Sequence, residues 1–114
     1  MLLTKDAKIM LYTLYKEYRD RRNHGFSKSE SKNFESAEYI HDTFFPELPV
    51  DDVEDSLREL GRNNFLNNLY ADDTVYCCSL SDYAIATIEA LPAETIKSIA
   101  DFISKFIPQT RPNH

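Results

Sequence analysis

The fold is decided by residues 75–88, VYCCSLSDYAIATI. They combine a β-prone run that contains both cysteines with a helix signal, because Ser81 can cap a helix and Ile85 and Ile88 recur three residues apart. The sequence therefore predicts a strand that leads directly into a helix at about 82–91.

The start of this stretch and the residues before it predict a hairpin. Two β-type runs, 65–69 and 74–78, flank the turn-prone segment 70–73. The turn carries Asp72 and Asp73, and neither the runs nor the turn contain a Lys or Arg. The hairpin tip is therefore expected to be acidic.

Apolar residues at helical spacing predict three helices before the hairpin and one after the helix that follows it. The predicted helices lie at about 4–22, 36–45, 50–62, 82–91 and 93–107. The Ser/Lys-rich segment 26–33 lacks periodicity and is expected to be a loop. The expected organisation is one domain at 1–91, a C-terminal helix at 92–107 that packs on the first helix or on a second subunit, and a disordered tail at 108–114.

This order of elements resembles the winged helix-turn-helix superfamily, in particular MarR-like and PadR-like regulators. Many of those proteins leave the wing through a passage Y-x-L-T-x-x-G-x-x-x-L, and the residues similar to its leucine, capping Thr, Gly and final Leu are Leu80, Ser81, Ala84 and Ile88. The third helix, turn and first wing strand are matched by Val53, Leu57, Leu60 and Asn64-Phe65-Leu66. The resemblance covers about residues 4–91 and implies a winged helix, mainly α with a small β-hairpin (α+β).

The resemblance also implies a way of binding duplex DNA. In DNA-binding members the third helix enters the major groove and the wing adds phosphate or minor-groove contacts. The third helix of this chain carries Asp51, Asp52 and Asp55 in its first turns, and carboxylates there oppose phosphate binding. If the chain reads DNA, Arg58 and Arg62 are the cations of this helix that would contact bases.

Charge is unevenly distributed along the chain, whose net charge is −6. Residues 1–33 contain eight Lys or Arg and four Asp or Glu (+4), and residues 34–114 contain five and fifteen (−10). Cations concentrate at the end of the first helix and in the segment after it, where the candidates for contact with phosphate or with an acidic partner are Lys16, Arg19, Arg21, Arg22, Lys28 and Lys32. The alternative is a solvated helix end, where cations suit the negative pole of the helix dipole.

Two predicted helices have wider apolar faces than one small core requires. The first and last helices are therefore expected to form a homodimer interface. Its candidate residues are Tyr12, Tyr15, Ile99, Phe102, Ile103 and Phe106.

No motif predicts catalysis, a cofactor or a metal site. Glu38 and His41 have the Glu-x-x-His spacing of di-iron bundles, but such sites take the motif from two helices. Cys77 and Cys78 are adjacent, so they point to opposite faces of a strand and are expected to be reduced. The sequence contains no signal-peptide pattern or membrane span, and a cytoplasmic location is expected.

These observations favour a small non-enzymatic regulatory or adaptor protein that binds a protein partner, including a second copy, through winged-helix surfaces. The alternative is a dimeric transcriptional regulator that binds duplex DNA. The resemblance favours the regulator, whereas the acidic third helix and hairpin turn favour the adaptor.

Overall fold

The computed structural model describes residues 2–106 of the chain, and its side chains as far as residue 101. The elements are α1 (Lys5–Asn23), α2 (Lys28–Lys32), β1 (Asn33–Glu35), α3 (Ala37–Phe44), α4 (Val50–Arg62), β2 (Leu66–Ala71), β3 (Thr74–Leu80), α5 (Asp82–Glu89) and α6 (Ala93–Phe106). The five predicted helices are present with bounds within two residues of those expected. The predicted class, mainly α with a small β component, is confirmed.

The segment between α1 and α3 is not the loop that the sequence predicts. Ser27 accepts a hydrogen bond from the Glu30 backbone N–H, and the Glu30 carboxylate accepts one from the Ser27 N–H, so a capping box fixes the short helix α2. The next three residues form β1, which pairs with β3. The loop prediction for residues 26–33 is therefore wrong, because a local cap and a long-range strand pairing order this segment.

Hydroxyl caps set where four of the helices begin. A side-chain oxygen accepts a hydrogen bond from the backbone N–H three residues later at Thr4, Ser27, Ser36 and Ser81. Each cap satisfies a backbone donor that has no partner inside its helix. The Ser81 cap places α5 directly after β3, as residues 75–88 predict.

The sheet has three antiparallel strands in the order β1-β3-β2. In the β2–β3 hairpin Leu66 lies opposite Leu80 and Ala71 opposite Thr74, with a bulge between Leu69 and Tyr70. The turn residues Asp72 and Asp73 have φ of 52° and 61°. Two successive left-handed residues are typical of a type I′ turn, whose twist matches that of a hairpin.

One hydrophobic core joins α1, α3, α4, α5 and the inner face of the sheet. Its largest fully buried side chains are Phe34, Met10, Leu11, Leu14, Ile40, Leu57, Leu60, Leu80, Ile88, Val53, Val75 and Cys78. Phe34 comes from β1, so the strand that the sequence does not predict contributes the largest of these side chains. Gly61 lets β2 approach α4, because a Cβ there would stand 2.6 Å from Asn68 Nδ2.

Helix α6 contacts α1 within the same chain. Its Ile96 and Ile99 are half-buried. The side chains of Phe102, Ile103 and Phe106 and the predicted tail at 108–114 lie outside the described part of the chain. None of the described helices has the length and apolar character needed to cross a membrane.

Candidate interaction surfaces

The outer side of α4 begins with an acidic surface, here called the acidic corner (residues 47–52). Every residue from Glu47 to Asp52 is exposed, and the corner carries Glu47, Asp51 and Asp52 beside Leu48 and Val50, which are 40% and 53% exposed. Asp55 continues the negative charge one turn further along α4. The corner therefore presents carboxylates and apolar side chains side by side.

A histidine holds the acidic corner in place. The His41 Nε2 lies 2.9 Å from the Leu48 carbonyl oxygen, and Nδ1 lies 2.7 Å from Asp42 Oδ1. The hydrogen bond to Asp42 raises the pKa of His41, and the carbonyl contact acts in the same direction. Of the Glu-x-x-His pair, His41 therefore holds the corner, whereas Glu38 is exposed. Among the described residues, no group of three or more His, Cys, Asp or Glu side chains is placed to hold a metal ion.

Arg58, a candidate for reading bases, is held against the hairpin. Its Nε lies 3.3 Å from Glu54 Oε1, its guanidinium donates to the Asp73 carbonyl, and it stacks over the Tyr70 ring at 4.9 Å. Its side chain is 35% exposed. Arg58 therefore fixes the β2–β3 turn on α4, and only Arg62 of the two candidates is an exposed residue.

The carboxylates of α4 also have structural roles. Glu54 accepts a hydrogen bond from the Val75 backbone N–H, which ties α4 to the start of β3. Glu59 accepts from both the backbone N–H and the hydroxyl of Thr4, each at 2.7 Å. The Thr4 hydrogen bonds lower the pKa of Glu59. Two of the acids on α4 thus connect it to other elements, whereas those of the acidic corner face solvent.

Most of the predicted basic cluster is bound within the chain. Arg21 pairs with Glu17, donates to the Asn33 carbonyl at 2.7 Å and lies 4.6 Å from the centre of the Phe34 ring. Arg22 donates to the Phe26 carbonyl at 3.1 Å. These two arginines fix the segment that leads into β1; Arg21 is half-buried there, whereas Arg22 remains an exposed residue.

Lys28 and Lys32 meet on one carboxylate. Their Nζ atoms lie 3.3 Å and 3.0 Å from Asp82 Oδ1, at the first residue of α5. The Lys32 hydrogen bond, followed by that of Lys28, lowers the pKa of Asp82. The structure therefore brings these two predicted cations together, but as partners of Asp82.

A basic stripe that the cluster prediction does not describe runs along α1. Lys5, Lys8, Tyr12, Lys16 and Arg19 follow one another at spacings of 3, 4, 4 and 3, which places them on one helix face. The four cations are exposed. This spacing is visible in the sequence, so the stripe could have been found there; the predicted cluster contains Lys16 and Arg19 of these residues, but not Lys5 and Lys8.

Helix α6 lies across this stripe and leaves a cleft on either side. The first, here called the α1/α6 cleft, has a volume of about 220 Å³, and its polar border is Lys16, Arg19, Asp20 and Asn23. Its apolar lining is Tyr12, Tyr15, Ile88, Ile96, Ile99 and Ala100. The second is bordered by Lys5 and Lys8 and shares Tyr12 and Ile99 with the first.

Tyr15, a candidate for a dimer interface, is 5% exposed and belongs to the core. Its hydroxyl donates to Glu89 at 3.2 Å and accepts from Arg19 at 3.2 Å. Burial raises the pKa of Tyr15. Tyr12 and Ile99 are half-buried at the cleft, so part of the apolar face that suggested a dimer is covered by α6 within the chain.

The outer face of the hairpin is a further apolar surface. Leu69 and Tyr76 are 55% and 53% exposed, and Cys77 is half-exposed beside them. Cys78 is fully buried on the inner face, and burial raises its pKa to about 12. The two thiols are free, and they face opposite sides of the sheet.

Comparisons of this chain with protein-family profiles, with curated proteins and with solved structures find no match.

Proposed function

We propose that this chain is a non-enzymatic regulatory or adaptor module of the winged-helix type that binds a protein partner. Support for the winged-helix interpretation comes from the order α3, α4, β2, β3 and α5, with α4 in the position of a recognition helix and the β2–β3 hairpin in that of the wing. Where the superfamily places cations for DNA, this chain has the acidic corner, Asp55, and a hairpin tip formed by Asp72 and Asp73.

The single observation that carries the proposal is the state of the charges on α4 and the hairpin. Asp51, Asp52 and Asp55 are exposed, while Arg58 is turned back onto the hairpin. Duplex DNA binds mainly through attraction between its phosphates and protein cations. Because these exposed carboxylates outnumber the one exposed cation of α4, Arg62, this face repels a duplex and suits a protein partner.

A measurement of duplex binding by fluorescence anisotropy, over about 50–200 mM salt, tests the proposal. We expect the chain to bind random duplexes weakly at all these salt concentrations. The variant Asp51→Lys/Asp55→Lys should gain salt-dependent affinity, because it places two cations at the start of α4, where a recognition helix meets the groove. The matched control Glu38→Lys/Glu94→Lys, with the same change in net charge on exposed positions of α3 and α6, should gain less.

The competing function, a dimeric regulator that binds duplex DNA, gives the opposite result. It requires that the unmodified chain binds a duplex tightly and that Arg62→Ala loses the preference for a selected operator. It also requires that the variant Asp51→Lys/Asp55→Lys binds that operator more weakly than the parent chain. That set of results would overturn the proposal.

A further inference from the structure

The α1/α6 cleft combines an apolar floor with a basic rim. Tyr12, Ile96 and Ile99 lie in its floor, and Lys16 and Arg19 stand at its edge. Pockets for small-molecule ligands commonly enclose about 300–1,000 Å³, so a cleft of about 220 Å³ is better suited to one or two side chains of a protein partner.

The charged side chains that line the cleft are Lys16, Arg19 and Asp20, two cations and one carboxylate, so its rim carries a net charge of +1. Lys16 pairs with Asp20 at 3.3 Å, with both side chains more than half exposed, and such exposed pairs hold little energy. Arg19 donates to the Tyr15 hydroxyl, which donates in turn to the exposed Glu89 carboxylate, so that carboxylate balances part of the Arg19 charge. A partner with carboxylates next to an apolar side chain would therefore fit this cleft, because the carboxylates would meet the cations of the rim and the apolar side chain would meet the floor.

The acidic corner of the same chain has this composition. It places Asp51 and Asp52 beside Leu48 and Val50, with all four residues exposed. The contact between His41 and the Leu48 carbonyl fixes the corner before any partner arrives, which reduces the entropy lost on binding. We propose, as a refinement that rests on the proposed function, that the α1/α6 cleft binds the acidic corner of a second copy of this chain.

Charge also determines how the two copies face each other. If two α1/α6 clefts faced each other across a two-fold axis, Lys16 and Arg19 of one copy would meet the same cations of the other. Cleft-to-corner contact avoids this repulsion. Two such contacts, made reciprocally, close a dimer, whereas a single contact leaves an open chain of copies.

Sedimentation velocity of the full chain, up to about 1 mM protein, tests the inference. We expect self-association that weakens as salt increases, because exposed charges are screened. The variants Lys16→Glu/Arg19→Glu and Asp51→Lys/Asp52→Lys should each associate about tenfold more weakly, since each replaces attraction by repulsion. An equimolar mixture of the two should recover the affinity, because both kinds of contact again join opposite charges.

Lys5→Glu/Lys8→Glu is the matched control. It makes the same charge change on the same face of α1, but at the other side of α6, and should leave association within about twofold of the parent. Circular dichroism of every variant shows whether it is folded. Any of three results would overturn the inference. The parent chain stays monomeric, or both charge-reversal variants associate as strongly as the parent, or the mixture of the two variants fails to recover affinity.

These results separate the inference from the function on which it rests. If the chain is monomeric and also fails to bind duplexes, only a second copy is excluded as the partner. The proposed function then stands, with a different protein as the partner. A chain that binds duplexes tightly through α4 contradicts the proposed function instead, whatever its state of association.

Discussion

At the scale of single residues, the junction of α1 and α4 depends on one carboxylate. Glu59 accepts both the N–H and the hydroxyl hydrogen of Thr4, and the Thr4 hydroxyl in turn caps α1 by accepting from the Ala7 N–H. One side chain of α4 thereby holds the residue that starts the first helix. Its ionised form is needed, because both of its oxygens act as acceptors.

Glu59→Gln should therefore destabilise the fold by about 1 kcal/mol at neutral pH, the usual cost of a lost hydrogen bond. The pKa of Glu59 is lowered from an ordinary value of 4.5, so its stabilising contribution is present above that value and is lost as the pH falls through the folded-state pKa. Urea unfolding should show a difference between parent and variant at pH 7 that shrinks in acid, as the pH falls below 4.5.

Glu47, an exposed residue that precedes α4, supplies the control for this comparison. Glu47→Gln should change the free energy of unfolding by less than about 0.5 kcal/mol at either pH. A Glu59→Gln variant that loses the same free energy at acid and neutral pH would show that packing, and not the carboxylate charge, accounts for the effect.

At the scale of elements, the β2–β3 turn has the conformation of a type I′ turn without its preferred residues. Asp72 and Asp73 both have positive φ, whereas this turn favours Asn-Gly or Asp-Gly. Asp tolerates the left-handed region better than most residues, but glycine adopts it without steric cost. The turn is therefore strained at Asp73, and Arg58 helps to hold it by donating to the Asp73 carbonyl while it pairs with Glu54.

Asp73→Gly should stabilise the chain by about 0.5–1 kcal/mol, because relief of the left-handed strain exceeds the entropy that glycine adds to the unfolded chain. Thermal unfolding by circular dichroism measures the shift. Ala71→Gly, two residues away at the end of β2, should destabilise, since no positive φ is relieved there. A lower unfolding temperature for Asp73→Gly would mean that the aspartate side chain stabilises the turn.

Helices could be predicted from the sequence because apolar spacing and caps are local signals. Ser81, with Ile85 and Ile88 after it, places α5 correctly. Strand β1 could not be predicted in this way, because three residues carry little pattern and their conformation depends on pairing with β3, more than forty residues later. Helix α2 left a signal in Ser27 and Glu30, which a search for capping boxes would have detected.

The candidate surfaces were less predictable than the fold, for the same reason. Counting cations identified Lys28 and Lys32, but not that both contact Asp82, fifty residues from Lys32 along the chain. Arg58 likewise depends on a turn fifteen residues away. Side-chain pairing across the fold decides which charges remain available, and a single sequence does not contain that information.

At the scale of the whole molecule, exposed cations and exposed carboxylates each concentrate on particular elements. The basic stripe of α1 borders the clefts beside α6, while the acidic corner and the tip of the hairpin carry exposed carboxylates. Screening limits such fields to about 8–10 Å in physiological salt. The two surfaces therefore act on partners at contact distance, and both the proposed function and the proposed self-association should be sensitive to ionic strength.

The adjacent cysteines make the stability of the whole molecule measurable without denaturant. Cys77 is half-exposed, whereas Cys78 is buried in the core with a pKa raised to about 12, and a thiol must become a thiolate to react. An aromatic disulfide reagent should modify one thiol of the native chain quickly and the second only when the core opens. In the variant Cys77→Ser, the slow modification rate of Cys78 then reports how often the folded chain opens, as hydrogen exchange does for backbone amides. Equal rates for the two thiols would contradict the burial of Cys78, and a ligand or second copy that slows Cys78 would reveal its binding by suppressing these openings.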